Sequence, residues 1–131
     1  MTYGDNTTKG NGNTESVRLL TKEARTLIEY ADKIQFSAER IMLSCSIPGT
    51  NGEAYRDLLL AETNNLKKLA DLHRLASQHL LGAAGKLING SCEEEVLSDV
   101  RIYNIFFADQ LKCAENEVQH ILGMLLKYAS V

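Results

Sequence analysis

The chain has one proline, Pro48, in 131 residues. Proline is the residue that most reliably breaks a helix, so long helices can run unbroken on either side of it. Glycine is sparse in the same places. The nine glycines fall mostly in the first dozen residues and at short joints. No apolar run reaches the length of about eighteen residues that a membrane span needs, so no transmembrane helix is expected. No secretory leader pattern is visible. The three cysteines, Cys45, Cys92 and Cys113, are an odd number without a Cys-x-x-Cys pair. Free thiols in a reducing compartment, intracellular and cytoplasmic, are the expectation. The sequons at Asn6 and Asn89 would matter only in a secreted chain. A basic excess is also missing: 14 basic against 17 acidic residues give a net charge of −3, mixed along the chain. That argues against nucleic acid as a partner. No glycine-rich phosphate loop and no Ser/His/Asp pattern occurs, so no enzyme, no cofactor and no small-molecule substrate is inferred.

What is present is helical periodicity. Between Val96 and Tyr128, apolar residues fall at Val96, Val100, Tyr103, Phe107, Leu111, Ala114, Val118, Ile121, Leu125 and Tyr128. Steps of three and four hold one helix face for about nine turns. Such a stripe cannot bury itself, so the rest of the chain must cover it. An earlier stripe runs through Val17, Leu20, Ala24, Leu27, Ala31, Ile34, Ala38, Ile41 and Cys45, in the heptad pattern of coiled-coil packing. Alanine at every seventh position predicts a closely approached neighbour there. Ile28, Phe36, Met42 and Leu43 widen this face. A third stripe runs through Leu59, Leu66, Leu69, His73, Ala76, Leu80, Ala83 and Leu87, with Ala70 and Ala84 among the residues that broaden it.

The predicted elements are a flexible polar tail over 1–13, helices over 14–45, 52–88 and from the Ser91 region to about Ala129, and turns at 46–51 and 89–91. Pro48-Gly49 breaks the chain at the first turn, and Thr50 with Glu53 forms a capping box. At the second, Asn89 or Gly90 takes the left-handed position, and Ser91 with Glu94 forms another capping box. Residues 14–131 then make one all-α domain, an antiparallel up-down-up bundle of three long helices with heptad packing. Thr63-Asn64-Asn65 are poor helix formers in a row. A break near Asn64 would give four helices, but the leucines stay in phase across it and continuity is the expectation.

Chemistry-bearing residues are few. Glu117-x-x-His120 has the spacing of one half of a di-iron site, but a single copy points to a solvated pair. His73 sits on the core stripe, where a histidine hydrogen-bonded to a neighbour is the simplest reading and a pH switch the sharper one. Glu62 extends the same stripe and is expected to be exposed near the bundle end. Cys45 and Cys113 are expected in or near the core, and Cys92 at the start of the third helix. The run His79-Leu80-Leu81-Gly82-Ala83-Ala84-Gly85 resembles the phosphorylated helix of histidine-phosphotransfer domains, whose pattern is similar to His-x-x-Lys-Gly. That resemblance implies phosphotransfer through His79. With His79 and Gly82 aligned through a one-residue deletion, the chain departs from the pattern at the lysine, where Leu81 stands. Without that resemblance, Gly82 and Gly85 read as close-packing positions.

Apolar residues exceed what one seam per helix requires. Ile102, Ile105, Phe106 and Leu122 lie at the margins of the Val96–Tyr128 stripe and form the expected partner-binding residues. The functional expectation is a non-catalytic protein-interaction module, adaptor or regulatory, binding another protein or its own copy. Phosphotransfer through His79 and structural homo-oligomerisation are the alternatives.

Overall fold

The computed structural model describes residues 2–45 and 52–129, with side chains over 13–44 and 52–127. Its elements are α1 (Thr2–Cys45), α2 (Gly52–Ile88) and α3 (Glu93–Ala129). Helix geometry starts at Thr2, so the backbone of the segment expected to be a tail continues α1. Extending a formed helix adds one hydrogen bond per residue fixed and needs no new nucleus. The first turn, with Pro48 and Thr50, lies outside the described residues.

α2 is one helix through the suspected break. Thr63 is buried and donates its hydroxyl to the Leu59 carbonyl of its own helix at 2.9 Å. The poor helix former is thereby satisfied inside the helix, and the three-helix count holds.

Helix α2 is the centre of the assembly: α1 and α3 each pack along it. Cross-helix pairs run in opposite order. Ala24 meets Ser77 while Asp32 meets Arg74, and on the other side His73 meets Phe107 while His79 meets Tyr103. The helices are therefore antiparallel neighbours. Where α1 meets α2, Ala24, Ala31 and Ala38 are almost completely buried. Facing them is a second heptad of small residues, Thr63, Ala70, Ser77 and Ala84, equally buried. The Ser77 hydroxyl donates to the Ala24 carbonyl at 2.9 Å. A serine side chain reaches a neighbouring helix's backbone only if the two backbones lie close, as alanine seams allow.

The core joins all three helices at one end. Leu20 and Ala24 of α1, Leu80, Ala83, Ala84 and Leu87 of α2, and Val96 and Val100 of α3 form one cluster. At this end Ser16 also donates to the Glu93 carboxylate at 3.2 Å. Midway, His73 is the node between helices. Its ring lies against Tyr30 of α1, centroids 6.2 Å apart, and edge-on to Phe107 of α3 at 5.6 Å. Its Nδ1–H donates to the Leu69 carbonyl at 2.8 Å. The simpler of the two expectations for His73 is what the structure shows.

From Tyr103 onward the cover on α3 thins. Tyr103, Phe107, Leu111, Ala114, Val118 and Ile121 are only half-buried, and among the described residues of the later seam Leu125 alone is buried. The longest stripe in the sequence is therefore covered from one side only over much of its length, because α1 packs on α2 and not along α3.

The joint before α3 is a Schellman motif. Gly90 has φ +91°. Its N–H donates to Leu87 at 3.1 Å, and the Ser91 N–H donates to Lys86 at 2.9 Å, satisfying carbonyls left over at the end of α2. The expected Ser91–Glu94 capping box does not form. The carbonyl that accepts the first bond of α3 belongs to Cys92, from the Val96 N–H at 3.1 Å, so the cap position lies one residue later.

Two further expectations are corrected. Glu62 is buried, 3% exposed, because the stripe it continues faces the interior even near the helix start. Its Oε1 has no hydrogen-bond partner, and burial alone pushes its carboxyl above the usual range. Cys113 is exposed, off the seam of α3. The side chain of Cys45 lies outside the described residues.

Candidate functional site

A groove lies between α2 and α3. Gln78, His79, Gly82, Ala83 and Lys86 form its α2 wall, and Val96, Asp99, Ile102, Tyr103 and Phe106 its α3 wall, around a cavity of about 640 Å³. The helix period builds it. His79, Gly82 and Lys86 step by three and four along one face of α2, and Asp99, Ile102 and Phe106 do the same on α3. Those faces flank the buried seams, so their side chains border the gap where two cylinders diverge. Glycine at position 82 lowers the wall on the α2 side.

Within the groove, His79 stacks flat on Tyr103, ring centroids 3.9 Å apart and planes 11° apart. Tyr103 in turn lies beside Phe106 at 6.3 Å. His79 Nε2 is inaccessible to solvent and has no hydrogen-bond partner. That nitrogen is not presented to a phosphodonor here.

Gly82 and Gly85 are not close-packing positions. A Cβ built on either meets nothing within 4 Å. No neighbouring helix requires them among the described residues, and glycine inside a helix costs about 1 kcal/mol relative to alanine. The groove is where the missing side chain at 82 leaves room.

The four residues expected to bind a partner are all on the surface: Ile102 is 64% exposed, Ile105 72%, Phe106 57% and Leu122 40%. They do not make one surface. Ile102 and Phe106 line the groove together. Ile105 sits behind them, away from α2. Leu122 lies sixteen residues after Phe106, about 160° further round an ideal helix, so it faces the opposite flank of α3. The α2 side of the groove, Gly82 and Lys86 above all, was missed from sequence. The signal was present as a second three-four track on α2, but polar residues interrupt it.

A second, shallower cavity of about 400 Å³ lies between Ala61 and Asn65 of α2 and Asn116, Glu117, His120 and Ile121 of α3. Glu117 and His120 are exposed at its edge. Among the described residues, no group of three or more His, Cys, Asp or Glu side chains is placed to hold a metal ion. Comparison with protein-family models, with curated proteins and with solved structures found no match.

Proposed function

We propose that the chain is a non-catalytic helical module that binds a partner protein through the apolar surface between α2 and α3. One observation carries this reading: Ile102 and Phe106 stand exposed at the wall of a groove whose floor is apolar. Isolated exposed leucines are ordinary on a protein surface. An isoleucine and a phenylalanine converging with Tyr103, Ala83 and Val96 on one concavity are what an interaction site needs. No described helix is long and apolar enough to cross a membrane.

Phosphotransfer through His79 draws no support from the stacked, inaccessible Nε2. A homo-oligomer would use the same groove, and mass in solution separates it from a heterologous complex. Phe106→Glu tests the proposal. Because Phe106 is more than half exposed, the variant should melt like the parent by circular dichroism. It should lose association at the same time, since a charge replaces an apolar anchor that docking desolvates. Loss of the cooperative melt would place Phe106 in the core and remove this surface from consideration. An unaltered association would move the interface elsewhere.

A further inference from the structure

The two cavities between α2 and α3 share one side of the helix pair. On α2, Ala61, Asn65, Lys68, Leu72, Leu75, His79, Gly82 and Lys86 follow one another by steps of four and three. On α3, Asp99, Ile102, Phe106, Asp109, Cys113, Glu117 and His120 do so. The first cavity contains one end of both tracks and the second contains the other. The two tracks outline one groove that joins the two cavities. From Ile102 to His120 it runs roughly 27 Å, at about 1.5 Å per residue. A helix of about eighteen residues has that length. The apolar residues along the walls, Leu72, Leu75, Ile102 and Phe106, match the single apolar stripe of an amphipathic helix.

The two lips differ in sign. On the α3 track the ionised residues are Asp99, Asp109 and Glu117, all exposed and all acidic. On the α2 track they are Lys68 and Lys86, exposed and basic. Arg101 and Lys112 lie on α3 but project to its far side, more than a quarter turn from this track.

We infer that the groove receives an amphipathic α-helix of a partner protein, with basic residues along the flank that meets α3 and acidic residues along the flank that meets α2. This rests on the interaction reading above and names the kind of partner that surface takes. A helix with like charges on both flanks would meet repulsion at one lip. Such juxtaposition selects against the wrong partner more than it strengthens the right one.

Three stapled helical peptides of eighteen residues would test it, sharing one leucine stripe and differing only in their flanks: lysine on one and glutamate on the other, lysine on both, or glutamate on both. Fluorescence anisotropy against the full chain should show the mixed peptide binding at least tenfold tighter than either uniform one. Amide shifts should map to Gly82, Ile102 and His120. The triple variant D99K/D109K/E117K, which makes both lips basic, should switch the preference to the all-glutamate peptide. K68E/K86E, which makes both lips acidic, should switch it to the all-lysine peptide and provides the test should the first variant fail to fold. Equal binding of all three peptides, or a preference that neither variant moves, overturns the inference. So does an absence of binding by any peptide. If Phe106→Glu still abolishes an association of the full chain in that last case, the interaction reading survives without the helical partner; if no association exists, both fall.

Discussion

Replacing Glu62 should make this protein more stable at neutral pH, and less so as the solution is acidified. Glu62 is 3% exposed, and its Oε1 accepts no hydrogen bond. A buried polar atom left without a partner costs about 1–3 kcal/mol. Burial also raises the carboxyl's pKa above the reference value of 4.5, because the charged form loses its hydration. The folded state therefore holds its proton to higher pH than the unfolded state does. Between the two pKa values the native protein binds more protons, so the contribution to stability falls as pH rises from about 4.5 through the folded value, and is level above it. Glu62→Gln removes the charge and keeps the shape, so it should exceed the parent at pH 7 and converge with it near pH 4. Glu62→Leu also removes the orphan oxygen and should gain about 1–2 kcal/mol at pH 7. Urea unfolding at a series of pH values measures both. Glu15 is shifted in the opposite direction by its hydrogen bond to Arg18, but its contribution cancels in the difference between variant and parent. A Glu62→Gln protein no more stable than the parent at pH 7, or a gap that fails to close on acidification, would refute the reasoning.

Other perturbations follow from the packing. Ala31→Leu adds a side chain at a wholly buried seam and should cost about 1–3 kcal/mol, read as a shift in denaturant midpoint; a change of a few tenths would mean the seam is loose. Gly90→Val forces a β-branched residue to positive φ and should cost at least about 1 kcal/mol. Ser91→Ala should be nearly neutral by the same thermal melt, because the Ser91 hydroxyl is not the cap of α3. Gly82→Ala should stabilise by roughly 0.5–1 kcal/mol in chemical denaturation, since its new methyl group meets open space.

The fold was legible because periodicity survives local noise. Three stripes fixed three helices, and phase across Thr63-Asn64-Asn65 outweighed three weak helix formers. What escaped was pairwise. The α1 alanines announced a close neighbour, yet the matching heptad Thr63, Ala70, Ser77 and Ala84 was hidden because threonine and serine do not read as apolar. Their hydroxyls are satisfied by backbone carbonyls, on α2 itself and across on α1, and so behave as small core residues. Glu62 escaped for the opposite reason. A carboxylate on a core stripe reads as a helix-end residue, and only the register of three helices shows it enclosed. For the same reason Leu122 was grouped with Ile102 and Phe106. Residues in the margins of a long stripe look alike in sequence, while their side of the helix depends on where the neighbours stand.

That asymmetry also bears on why the groove exists. A chain selected only to fold would gain by covering α3 from both sides and by filling position 82. Instead, α1 spends its closest packing on α2, and α3 keeps a half-buried seam with Ile102 and Phe106 at its edge. Gly82 gives up helix propensity at a place where none of the described residues needs the room. Features that lower stability and share one surface are explained most simply by something outside the chain that completes it. The alanine seam between α1 and α2 is buried over its length, while the seam of α3 from Tyr103 to Ile121 stays half-buried beside the groove.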